Sequence, residues 1–125
     1  MKIIKYFIII FFTIIHGTLN ANEKEFNDLI HQSEELDQQL LIFKHSSRCG
    51  FSSMIKRRFE SEYDSNLTVY EVDVIKSREL SNYISSTYSI QHESPQIILF
   101  KSGQPVFSDS HSGVNVENIK SHLTV

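Results

Sequence analysis

The chain has 125 residues, with 12 Lys and Arg against 15 Asp and Glu and a formal net charge of -3. That length supports one domain with a modest core, and the charge leaves no basic footprint of the kind nucleic-acid binding needs. A single cysteine, Cys49, excludes an internal disulfide framework and a cysteine-rich structural metal site.

The N-terminus reads as a targeting segment. Lys2 and Lys5 precede an almost wholly apolar run, Tyr6 to Ile15, and Gly17-Thr18-Leu19-Asn20-Ala21 follows. This is the order of a secretory signal, and the run is short for a transmembrane helix. Residues 1–21 are therefore expected to be a signal peptide or N-terminal membrane anchor, with residues 22–125 as the folded domain. Cleavage after Ala21 meets Leu19 where a small residue is preferred. A buried element of the fold is the third reading. An exported, periplasmic or extracytoplasmic protein is expected, and a cytoplasmic one if the segment is not a working signal. In an oxidising compartment an exposed lone thiol becomes oxidised or pairs with another molecule.

Glu23 to Gln39 carries Phe26, Leu29, Ile30, Leu36 and, just beyond it, Leu40 at helical spacing, which predicts a surface helix. Leu40 to Lys44 reads as a first strand. Cys49 to Tyr63 reads as a helix with Phe51, Met54, Ile55, Phe59 and Tyr63 recurring, and Asp64-Ser65-Asn66 as a turn. Leu67 to Ile75 is β-branched and reads as a buried strand. Ser77 to Tyr88 reads as a helix opened by Ser77. Gln96 to Lys101 and Gln104 to Ser108, joined by Ser102-Gly103, read as a hairpin. Asn115 to Leu123 reads as a last helix. The predicted order α-β-α-β-α-β-β-α implies an α/β domain, a small mixed sheet covered by helices.

Cys49 follows the first strand and opens a helix, where free N–H groups and the helix dipole favour a thiolate. Arg48 adds positive charge. Ser46, Ser47, Arg48 and Gly50 are poor neighbours for an inert buried cysteine. Cys49-Gly50-Phe51-Ser52 is a C-x-x-C redox motif with serine in the second place. It can form a mixed disulfide but has no local resolving thiol. Ser52 either donates to the thiolate or satisfies backbone in the first helical turn. Lys44 either assists Cys49, meets a carboxylate of a thiol co-substrate, or is a solvated strand end, and His45 is equally open. Pro95 is either a strand-start proline or a cis proline beside Cys49. His92, His111 and Cys49 show no metal-ligand spacing, so no metal site is expected.

The blocks Phe43-Lys44-His45-Ser46-Ser47-Arg48-Cys49, Ser77-Arg78-Glu79-Leu80-Ser81-Asn82 and His92-Glu93-Ser94-Pro95-Gln96, with Ser110-His111 after the hairpin, resemble the monothiol bacilliredoxin family of YtxJ-type proteins. The resemblance runs from about Leu40 to Leu123. It implies a thioredoxin-like fold, Cys49 as the catalytic residue and a cis Pro95. It implies removal of bacillithiol from mixed disulfides on proteins, with a low-molecular-weight thiol, bacillithiol or glutathione, as co-substrate and no tightly bound cofactor. Lys44, Arg48, Ser52 and Pro95 become supporting residues, and Glu93 and Ser94 offer backbone to the incoming chain. A partner reductase and a monomeric state go with this reading. Two features depart from the family. Gly50-Phe51-Ser52 replaces the proline usual after the cysteine, and Cys-Gly-Phe-Ser resembles monothiol glutaredoxins, some of which hold an iron–sulfur cluster. The N-terminal segment is the other departure, because the typical member is cytoplasmic. Two alternatives are thus an iron–sulfur-binding protein and a non-catalytic thioredoxin-like binding domain.

Overall fold

The computed structural model of the chain describes residues 14–16, 22–63 and 67–123. The expected turn at Asp64-Ser65-Asn66 lies outside these residues, as do 1–13 and 17–21 of the expected leader. The elements are β1 (Ile14–His16), α1 (Glu23–Glu35), β2 (Gln39–His45), α2 (Gly50–Glu62), β3 (Thr68–Asp73), α3 (Arg78–Tyr88), β4 (Gln96–Lys101), β5 (Gln104–Ser110), a 3-10 turn (His111–Gly113) and α4 (Val116–Lys120).

Local chemistry explains the boundaries. Asn22 caps α1, its Oδ1 accepting from Glu25 N–H at 3.0 Å, and Glu23 and Glu25 sit favourably in the first turn. Asn115 caps α4 in the same way, accepting from Asn118 N–H at 2.8 Å. The β4–β5 hairpin turns on Ser102 (φ 51°) and Gly103 (φ 79°), two successive positive φ angles that match the twist of the strands. A Cβ on Gly103 would also run into the Glu34 side chain.

Among the described residues the sheet has five strands, in the order β1-β3-β2-β4-β5. β2 is central: it runs parallel to β3 with Leu41 opposite Val69, and antiparallel to β4 with Leu41 opposite Leu99. Side-chain alternation divides the core between the two faces. On one, Leu41, Phe43, Val69, Ile97 and Leu99 pack against Ile55 and Phe59 of α2 and Ile119 of α4. On the other, Leu40, Ile42, Tyr70, Ile98 and Phe100 pack against Phe26 and Ile30 of α1 and Leu80 and Ile84 of α3. Each fully buried side chain of this kind contributes about 1.5–3 kcal/mol.

The expected order is corrected at its beginning. The predicted elements started with a helix, but the sheet takes an edge strand from Ile14–His16, paired in parallel with Val69 to Glu71 of β3. That strand falls inside the segment read as a leader. A β-branched apolar run satisfies the pattern of either, which is why the sequence did not separate them. Among the described residues, no helix is long and apolar enough to cross a membrane.

Candidate active site at the carboxyl end of β2

The register of the sheet brings four chain segments to one edge. β2 ends at His45 opposite Asp73, the end of β3. Lys44 lies opposite Gln96, the first residue of β4, and Gln96 lies opposite Ser110, the last residue of β5. The loops after β2, β3 and β5 and the loop before β4 therefore share this edge. Cys49 lies in the first and Glu93-Ser94-Pro95 in the last. The Ser94–Pro95 peptide is cis.

Cys49 is exposed and occupies the N-cap position of α2 in extended backbone, φ -106° and ψ 118°. Its N–H donates to Ser46 O at 3.2 Å, and its carbonyl accepts from Ser53 N–H at 3.0 Å. The first turn of α2 carries no acidic side chain. Arg48 and Gly50 are exposed, as are Phe51 and Met54, so the chain around Cys49 presents a cation and two apolar side chains to solvent. Ser52 is fully buried, and its Oγ accepts from Ser46 N–H at 3.0 Å. The backbone role expected as one of its two readings is present: it ties the loop before Cys49 to the helix after it.

Lys44 corrects its expectation. It neither reaches the exposed site nor ends in solvent. Its position shares the face of Leu40 and Ile42, so it points into the core and is completely buried. Nζ donates to Ser81 O and to Ser85 Oγ, both at 2.9 Å. Burial pulls its pKa down from 10.5 to about 8. Beside it, Ser81 Oγ lies 3.2 Å from His92 Nδ1. Burial lowers the pKa of His92, and the Lys44 charge lowers it further against the opposing pull of Glu93. Gln96 Nε2 donates to Gln91 O at 2.9 Å, while Gln96 Oε1 and Ser94 Oγ are buried and have no partner among the described residues. A polar cluster thus lies under the loop that carries Pro95.

The other face holds a second polar group that sequence reasoning missed. Glu71 of β3 is nearly buried, and its Oε1 takes His45 Nε2 and Lys56 Nζ, each at 2.9 Å. Burial disfavours charge on Lys56, but Glu71 and Glu60 outweigh it and raise its pKa. Burial likewise pushes Asp73 up. The N–H groups of Ile75 and Lys76, the Ser47 hydroxyl and the charge of His45 outweigh it and hold its carboxyl low. His45 is therefore an engaged group, not a solvated strand end. Glu93 Oε2 lies 3.0 Å from His111 Nε2. The structure brings Cys49, Arg48, Ser52, Glu93, Ser94 and Pro95 to one edge and sets Lys44 beneath it. Among the described residues, no cluster of His, Cys, Asp and Glu is arranged to hold a metal ion.

Solved structures with the same architecture are thioredoxin-like. A chain described as a candidate oxidoreductase with a thioredoxin fold is 26% identical with a TM-score of 0.74, over 87% of this chain and 92% of that one. Thioredoxin NaTrxh from Nicotiana alata is 14% identical with a TM-score of 0.68, over 90% and 95%. Thioredoxin from Schistosoma mansoni is 17% identical with a TM-score of 0.67, over 89% and 93%. The domain has the thioredoxin fold. The family model for monothiol bacilliredoxin BrxC matches residues 19–119, so with its lone exposed cysteine at the head of α2 this chain belongs to that family of thiol oxidoreductases.

Proposed function

We propose that the protein is a monothiol thiol–disulfide oxidoreductase that reduces mixed disulfides between proteins and a low-molecular-weight thiol of the bacillithiol class. The observation that carries this reading is Cys49: exposed, at the N-cap of α2, with Ser52 in the place of a second cysteine. An anionic sulfur there meets unpaired helix N–H groups and the Arg48 charge. The Cys49 thiolate attacks the small-thiol sulfur of the mixed disulfide. A Cys49–small-thiol disulfide forms, the original S–S bond breaks, and the electron pair leaves on the protein sulfur, which takes a proton from solvent. A second small thiolate then attacks the sulfur bonded to Cys49. The small-thiol disulfide departs and the Cys49 thiolate is restored, because Ser52 cannot resolve the intermediate. Arg48 and the backbone of Glu93-Ser94-Pro95 are assigned to docking.

The test is intact mass after incubation with bacillithiol disulfide and glutathione disulfide in turn, followed by turnover on the matching peptide mixed disulfides. A mixed disulfide on Cys49, and turnover faster with bacillithiol than with glutathione, is expected. Absence of any adduct would make the domain a binding module. A visible-absorbing dimer after anaerobic reconstitution with iron and sulfide would instead support the cluster-binding reading suggested by Cys49-Gly50-Phe51-Ser52. Location is part of the proposal. The run Tyr6 to Ile15 supports export, while the pairing of Ile14–His16 with β3 supports retention of that strand. N-terminal sequencing of the protein from its native host separates the two.

A further inference from the structure

The 3-10 turn after β5 has an unusual backbone and contacts on two sides. His111 has φ 54°, a left-handed conformation that a non-glycine residue rarely adopts and that clusters at functional sites. In this conformation its N–H donates to Pro95 O at 2.9 Å. Its Nε2 lies 3.0 Å from Glu93 Oε2. An ionised carboxylate only accepts, so Nε2 carries the proton. One residue therefore holds Glu93 by its side chain and Pro95 by its backbone. The turn is fixed from the other side by α2, the helix that Cys49 opens. Arg58 Nη2 donates to Ser112 O at 3.2 Å and to Val114 O at 3.1 Å. The turn also closes tightly, with Val114 N–H bonded to His111 O at 3.1 Å. At Gly113 a Cβ would collide with the Asp109 carboxylate.

We propose that the turn His111 to Val114 is a strut between the helix carrying Cys49 and the loop Glu93-Ser94-Pro95, and that His111 is a positioning residue for substrate docking, acting through Glu93. This rests on the exchange reading above. The loop supplies the edge to which the incoming mixed disulfide binds. Two arms on the loop and Arg58 on the helix fix the distance between that edge and the sulfur. Without the imidazole, Glu93 keeps only the longer contact from Gln91 Nε2, at 3.4 Å, and the turn holds the loop through Pro95 O alone. Docking weakens, while the reactivity of Cys49 toward a small probe is untouched.

The experiment is a double-mutant cycle with His111→Gly, Glu93→Gln and the double variant. His111→Gly keeps the N–H and relieves the positive φ, so it removes the imidazole without forcing the backbone. Exchange is measured on whichever peptide mixed disulfide, of bacillithiol or glutathione, the wild type turns over. Iodoacetamide alkylation of Cys49 is measured alongside. Each single variant is expected to raise KM about fivefold with kcat within about twofold, and the double variant to be no worse than either. The alkylation rate should stay within about twofold of wild type. Unchanged KM in His111→Gly, additive effects of the two substitutions, or slowed alkylation would each overturn the strut. A wild type that turns over neither disulfide overturns the exchange reading itself, and this inference with it.

Discussion

Lys44→Met should stabilise the protein at neutral pH. Lys44 is fully buried, and among the described residues its Nζ meets a carbonyl and a hydroxyl but no carboxylate. Its pKa falls from 10.5 to about 8, and at about 1.4 kcal/mol per unit the charged form costs the fold about 3 kcal/mol. Methionine fills a similar volume without charge. The lost hydrogen bonds offset part of the gain, but Ser81 O keeps its helical N–H partner in α3 and Ser85 Oγ is near solvent. The net expectation is about 1–3 kcal/mol more stability at pH 7, or roughly 4–8 °C in Tm for each kcal/mol. The folded pKa lies below the unfolded one, so between about 8 and 10.5 the unfolded chain binds more protons and wild-type stability rises with pH. Below pH 8 both states are protonated and the full cost is present. The advantage of Lys44→Met should therefore shrink as pH rises from about 8 to 10.5. Urea denaturation of both proteins across that range reads the difference, and other titrating groups cancel in it. A variant less stable than wild type at pH 7, or an advantage that stays constant to pH 10.5, would refute the reasoning.

Cys49→Ser should abolish exchange, and any residual turnover above the buffer rate would remove Cys49 from the mechanism. Ser52→Ala leaves the Ser46 N–H without its acceptor and should cost about 1 kcal/mol, with exchange reduced only a few-fold; a complete loss of turnover would show that the hydroxyl takes part in the chemistry. Glu71→Gln weakens the contacts to His45 and Lys56 and should cost about 1–2 kcal/mol, discounted because Lys56 is partly exposed. No change in the urea midpoint would show that the cluster is not coupled to folding. His92 is held below its ordinary 6.5 by burial and by Lys44. The unfolded chain binds the extra proton between the lowered pKa and 6.5, so stability is fully present above 6.5 and is lost as pH falls through that window. His92→Gln should flatten this acid limb, and an unaltered limb would refute the assignment.

Most of the scaffold was legible because its patterns are local. Phe26 and Ile30 gave α1, and Val69 and Val72 gave β3. Cys49 was legible because the strand end, the polar turn and the helix start are contiguous. The misreadings have physical causes. The sequence leaves Lys44 open as a helper of Cys49, a partner for a co-substrate carboxylate or a solvated strand end, although Leu40, Ile42 and Lys44 alternate onto one face and the period of two points its side chain inward. The Glu71 cluster joins β2, α2 and β3, and no spacing in the chain announces it. The His111 turn left a faint trace in Ser110-His111-Ser112-Gly113, where glycine follows two residues after a histidine. Its partners, Pro95 and Glu93, lie on a different strand connection.

Where the fold tolerates polar groups in its interior is itself informative. Each carries a desolvation cost unless it is paired. Away from the end of the sheet near Cys49, the two faces are apolar along β2, with Leu40, Leu41, Ile42 and Phe43 each almost wholly buried. At that end the pattern breaks on both faces. Lys44, Ser81, His92 and Gln96 gather on one, and His45, Glu71 and Lys56 on the other. Local rules that fail together at one edge, while holding elsewhere, are expected where a site is built. A single-sulfur protein depends on such an edge. It cannot close a disulfide on itself, so every intermediate must be docked from outside and released to another thiol. The precision lies in the loops around Cys49, held from beneath by hydrogen-bonded side chains. The same argument accounts for a buried lysine that lowers stability: Lys44 bonds Ser81 O and Ser85 Oγ of α3, and Ser81 in turn meets His92 in the loop that leads to Pro95.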